Sequence, residues 1–93
     1  MEIVMKIKEG FVLEQLGDSY VAVAVNRASD DFSGMVRLNS TGAFIWKLVA
    51  ERELTREQIC DELTAVYEVD RAIAMRDINR MVDMLKEKGI IEE

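Results

Sequence analysis

The reactive side chains of this sequence are mostly carboxylates, and histidine, the usual general base and commonest metal ligand, is absent. Glu51, Glu53, Glu57, Asp61, Glu62, Glu68, Asp70, Asp77, Asp83 and Glu87 recur through the second half of the chain. They fall mainly on positions facing away from apolar stripes, which is the pattern of solvated helix faces. Asp30 and Asp31 are adjacent and could touch a hard cation, but no further oxygen ligands accompany them. Cys60 is the one thiol, so neither an internal disulfide nor a multi-cysteine metal site can form. Its neighbour Ile59 places it on an apolar face, where a thiol packs as a small hydrophobe. The five glycines are far apart and form no phosphate-cradling loop. No catalytic constellation, metal site or cofactor is therefore expected.

Charge narrows the partners. The chain carries 18 acidic against 12 basic residues, a net charge of −6. Nucleic-acid affinity is dominated by phosphate contacts to a basic face, and no lysine or arginine cluster of that kind is present. No apolar run approaches the ~20 residues of a membrane span. Met1 to Lys6 lacks the basic start, apolar run and cleavage site of a signal peptide, so a cytoplasmic location is expected.

The 93 residues read as one domain, with no proline, repeat or low-complexity tract. Phe11–Leu16 and Tyr20–Val25 are rich in β-branched and aromatic residues and flank the turn-forming Gly17-Asp18-Ser19, which predicts a hairpin. The second strand is apolar on both faces and belongs mid-sheet. Met5–Lys8 alternates apolar and basic, and either extends the sheet or leads into it. A polar loop, Asn26 to Gly34, holds Phe32, which is expected to tuck onto the core. Met35-Val36-Arg37-Leu38 follows as a third strand. In a meander it is an edge, with Val36 and Leu38 inward and Arg37 free to meet an acidic side chain.

Three helices complete the chain. Asn39 or Ser40 caps the first, whose Ala43–Ala50 run is apolar nearly all round. Trp46 there reads better as core than as a ligand platform. Thr55-Arg56-Glu57-Gln58 is a capping box opening the second, with Ile59, Cys60, Leu63, Val66 and Tyr67 on one face. Asp70 caps the third, in which Ala74, Ile78, Met81, Val82 and Leu85 form a stripe flanked by Met75 and Met84. Gly89 is a left-handed stop, after which Ile90 and Ile91 fold back or add a short strand. The fold class is α+β, winged helix-turn-helix-like, with an N-terminal three-stranded antiparallel sheet followed by three helices. An open edge strand offers N–H and C=O groups that an extended peptide can satisfy whatever its sequence. Thioethers beside it suit varied apolar guests, although ordinary gap-filling accounts for them equally well.

The runs FVLEQLGDSYVAVAV, GMVRLNSTGAFIWKLV, TREQICDEL, YEVD and KEKGIIEE together resemble the PqqD family, also called the RiPP recognition element, over nearly the whole chain. RiPP denotes a ribosomally synthesised and post-translationally modified peptide. The resemblance implies a non-catalytic chaperone that binds the leader segment of a precursor peptide and presents it to a maturation enzyme. That enzyme would be separate: a radical S-adenosylmethionine enzyme, a cyclase or a leader peptidase. It implies a leader lying along Met35, Val36, Arg37 and Leu38 with the third helix as the other wall. Met75, Asn79, Val82 and Lys86 share one flank of that helix at spacings of three and four and are placed on the groove side. The opposite flank, Ile73, Asp77, Arg80 and Met84, is the alternative.

Two rival readings remain. A winged-helix DNA-binding regulator would use the third helix, but Arg71, Arg76, Arg80, Lys86 and Lys88 are nearly cancelled by Asp70, Asp77, Asp83 and Glu87. A structural subunit would pair the edge strand with itself in a homodimer.

Overall fold

The fold begins at a hairpin closed by a two-residue turn, whose second strand is buried on both faces at Val21 and Ala22. The structure, a computed structural model, describes residues 3–24 and 35–93. Val25 and the loop from Asn26 to Gly34, with Phe32 and the Asp30-Asp31 pair, lie outside the described residues. Strand β1 is Lys6–Ile7, β2 is Phe11–Leu16, β3 is Ser19–Ala24 and β4 is Met35–Leu38. Leu16 faces Ser19 across the turn, where Gly17 takes φ +63°, a left-handed conformation open to a residue without Cβ. The antiparallel order β2-β3-β4 puts β3 in the middle, as its two-sided apolar pattern requires. Val36 and Leu38 are buried against the helices, while Met35 is 63% exposed and Arg37 points outward.

Helices α1 (Ser40–Glu51), α2 (Arg56–Val66) and α3 (Arg71–Glu87) follow the sheet. Asn39 caps α1, its Oδ1 accepting from the Gly42 N–H at 2.7 Å. Thr55 and Gln58 satisfy one another's backbone N–H groups at 3.1 and 2.9 Å in the expected capping box. Asp70 caps α3. Gly89, at φ +77°, ends it, and the Ile90 N–H donates to the Leu85 carbonyl as the chain turns back. Ile91–Glu92 then forms strand β5, antiparallel to β1. Met5–Lys8 thus leads into the three-stranded sheet without joining it.

Ile45, Trp46, Ile59, Cys60, Leu63, Ala74, Ile78, Val82 and Leu85 form the shared core beneath the sheet. Trp46 and Cys60 are both core residues, at 3% and 0% exposure. Val66 and Tyr67 depart from the expected buried face: α2 ends at Val66, which is exposed, and Tyr67 is the C-terminal cap, edge-on to Phe44. No helix among the described residues is long and apolar enough to cross a membrane.

Candidate functional site

The register determines which backbone groups β4 offers. Because a two-residue turn closes the hairpin, Leu16 and Ser19 form a hydrogen-bonded pair. Alternation along β3 then directs Ser19, Val21 and Val23 toward β2, and Tyr20 and Ala22 toward β4. Their partners on β4 are Leu38 and Val36. Met35 and Arg37 are left with their N–H and C=O groups aimed away from β3. Among the described residues no strand pairs with that side of β4.

A cavity of about 430 Å³ lies beside this edge. Arg37, Leu38 and Asn39 line it from β4 and the cap, Thr41, Gly42 and Ile45 from α1, and Asp77, Arg80, Met81 and Met84 from α3. Gly42 allows the three elements to meet here. A Cβ at that position would lie 3.3 Å from Leu38 Cβ and 3.4 Å from Met81 Sδ, tighter than ordinary packing. The base of the cavity is aliphatic and thioether, and its rim is charged. No acidic residue sits in the first turn of α1, whose N-terminus, capped by Asn39, contributes Thr41 and Gly42 to the cavity.

The third-helix wall is therefore the flank carrying Asp77, Arg80 and Met84. Of the expected site residues only Arg37 and Leu38 line the cavity; Met35 and Val36 lie beside them on β4 without lining it, and Met75, Asn79, Val82 and Lys86 do not line it. Val82 is fully buried and Met75 packs against the core. Asn79 accepts from Arg56 at 2.8 Å, and Lys86 donates to Glu93 at 3.0 Å. Met81, read from periodicity as core, is half-buried and contributes to the cavity wall.

That occupied flank belongs to a polar clasp which the sequence reading missed. Arg56, at the start of α2, donates to both Glu93 carboxylate oxygens at 2.7 and 2.8 Å, and to Asp83 at 2.9 Å. Hydrogen bonds from Arg56, then from Lys86, hold the Glu93 carboxyl down at about 2 despite the opposing effect of burial. The Arg56 guanidinium is raised above its ordinary value, chiefly by its hydrogen bond to Glu93. Contacts 37 residues apart in sequence carry no periodic signal, and only the C-terminal fold-back brings them together.

Comparison with known proteins gives a consistent set of likenesses. The family model described as "Coenzyme PQQ synthesis protein D (PqqD)" matches residues 19–91. No curated protein sequence matches significantly. Among solved structures, TbiB1 in complex with the TbiA(beta) leader peptide is 28% identical, with a TM-score of 0.73 and coverage of 94% of each chain. A lasso peptide synthetase B1 complexed with its leader peptide is 25% identical at a TM-score of 0.73, covering 96% of this chain and 98% of that one. The PqqD truncation of Methylobacterium extorquens PqqCD, described as a functional, stand-alone RiPP recognition element, is 26% identical. Its TM-score is 0.76, over 97% of this chain and 89% of that one.

Proposed function

The chain belongs to the PqqD family, and from that premise we propose that it captures the leader segment of a ribosomally made precursor peptide and presents it to a maturation enzyme. It acts without catalysing a reaction itself, and its place is the cytoplasm, where such precursors are made. The leader adds as a strand to the open side of β4 and lies against Asp77, Arg80, Met81 and Met84 of α3.

The observation that carries this reading is the junction of two features. The open side of β4, where Met35 and Arg37 direct their N–H and C=O groups, meets at Arg37 and Leu38 a cavity that also holds Ile45, Met81 and Met84. The ladder supplies affinity that ignores guest sequence, and alternate guest side chains entering the cavity supply selectivity. A micromolar complex requires about −8 kcal/mol. A few ladder hydrogen bonds at ~1 kcal/mol each, plus two apolar anchors at ~2 kcal/mol each, reach that range before the guest's ordering cost is subtracted. The likeness to structures solved with leader peptides supports the same reading. A DNA-reading role for α3 is disfavoured, because Arg71, Arg76 and Lys86 are already engaged by Asp61, Asp77 and Glu93.

The test is an amide NMR titration with the leader of a precursor peptide encoded beside this chain. The amides of Met35, Arg37, Asp77, Arg80, Met81 and Met84 should move. Shifts confined to the Asn79 and Lys86 side, or absent altogether, would overturn the reading.

A further inference from the structure

Six arginines lie among the described residues, and four of them are ion-paired within the chain. Arg52 meets Glu62 at 3.1 Å, Arg56 meets Asp83 and Glu93, Arg71 meets Asp61 at 2.6 Å, and Arg76 meets Asp77 at 3.4 Å. Among the described residues Arg37 and Arg80 make no ion pair or hydrogen bond, in a protein with a surplus of carboxylates. Both line the same cavity.

They lie toward different faces of a strand that would add to β4. Arg37 belongs to the outer row Glu14–Val21–Arg37, because directly opposed residues in a ladder share a face. Glu14 is two strands away, about 10 Å, whereas a guest residue opposite Arg37 would be about 4.8 Å away. Arg80 projects from α3, on the helix side of the sheet, and faces the guest's inward side chains. Asp77 shares that wall, but its carboxylate already meets Arg76. The rim is thus locally positive on a molecule of net charge −6.

We infer that Arg37 and Arg80 form a two-point carboxylate reader, selecting guests that carry two acidic side chains, one on each face of the added strand. This rests on the strand-capture reading above and adds a rule to it. Since successive strand residues point to opposite faces, the two acidic residues must be an odd number of positions apart.

A displayed library of random dodecapeptides, panned on the intact chain and on Arg37→Gln and Arg80→Gln, provides the test. Enriched peptides should share two Asp or Glu positions at odd separation, with each substitution erasing the preference at one of them. Synthetic winners should bind each single variant roughly two- to fivefold more weakly, the scale of partly exposed ion pairs. Both variants should melt with the parent, since neither arginine has a hydrogen-bond or ion-pair partner among the described residues. Peptides that shift the Met35 and Arg37 amides yet show no acidic pair, an even spacing, or preferences unchanged by the substitutions would overturn this inference and leave strand capture standing. Failure to enrich any peptide that moves those amides would overturn both.

Discussion

Proline placed at two neighbouring positions of β4 should have opposite consequences, and the contrast tests the strand-addition geometry directly. Arg37 directs its N–H to the open side, whereas Val36 directs its N–H to Ala22 of β3. Arg37→Pro removes one donor from the guest's ladder and leaves the guest carbonyl opposite it without a partner. The lost hydrogen bond is worth ~1 kcal/mol and the stranded carbonyl adds ~1 kcal/mol or more, so binding should weaken by roughly 10- to 100-fold. Arg37→Ala serves as the reference, because it removes the side chain and keeps the donor. The fold itself should tolerate Arg37→Pro, since edge strands accept proline where the N–H faces away from the sheet. Val36→Pro instead breaks a bond internal to the sheet and deletes a buried side chain, so its thermal midpoint should fall. Fluorescence anisotropy with a labelled leader peptide measures the first effect, and a melting curve the second. If Arg37→Pro binds the leader as well as Arg37→Ala does while remaining folded, the guest does not use the β4 ladder and the geometry is wrong.

Three further outcomes are expected. Met84→Ala should weaken leader binding about tenfold by removing an apolar anchor from the cavity wall, while Lys86→Ala on the opposite flank should leave affinity unchanged, both read by titration calorimetry. Ile78→Ala, at a fully buried position, should cost ~2–5 kcal/mol in urea unfolding with little change in slope. Glu93 has its carboxyl lowered from 4.5 to about 2 in the folded chain. A depressed acid contributes stability that is complete above its unfolded value and is lost as pH falls from about 4.5 through about 2. That contribution is at most ~3 kcal/mol, and Glu93→Gln should remove this part of the acid sensitivity while lowering stability at neutral pH.

The parts of this architecture that were legible in the sequence are those set by local period. Val36 and Leu38 were readable as inward because a strand alternates strictly, and Ala74, Ile78, Val82 and Leu85 because a buried helix face repeats every three to four residues. Thr55 and Asp70 were readable as caps, and the cap of α1 as either Asn39 or Ser40, because such oxygens satisfy specific orphan N–H groups. What periodicity could not supply was the rotation of α3 about its own axis relative to β4. Both flanks of its stripe have the same spacing, so Met75–Asn79–Val82–Lys86 and Ile73–Asp77–Arg80–Met84 were equivalent on that criterion. The β1–β5 pairing was equally hidden, because two-residue strands leave no pattern of their own.

A non-local balance of charge accompanies the difference between the two flanks. Arg56 and Lys86 converge on Glu93, and Arg56 also reaches Asn79, so one side of α3 is fastened to α2 and to the residue that follows β5. An extended guest on that side would have to displace charge-assisted hydrogen bonds, each worth ~1.5–3 kcal/mol. On the other side the only ion pair among the described residues is the loose, exposed Arg76–Asp77 contact, and Arg80 has no partner among them to give up. A guest there would meet an open cavity and a cation that gains from its arrival. The clasp would therefore act on binding without touching the guest, since it commits one flank of α3 to the fold and leaves the other available. Breaking it with Glu93→Gln should lower stability and leave the affinity of β4 for a leader peptide intact, whereas a parallel loss of affinity would mean that the cavity depends on the clasp for its shape.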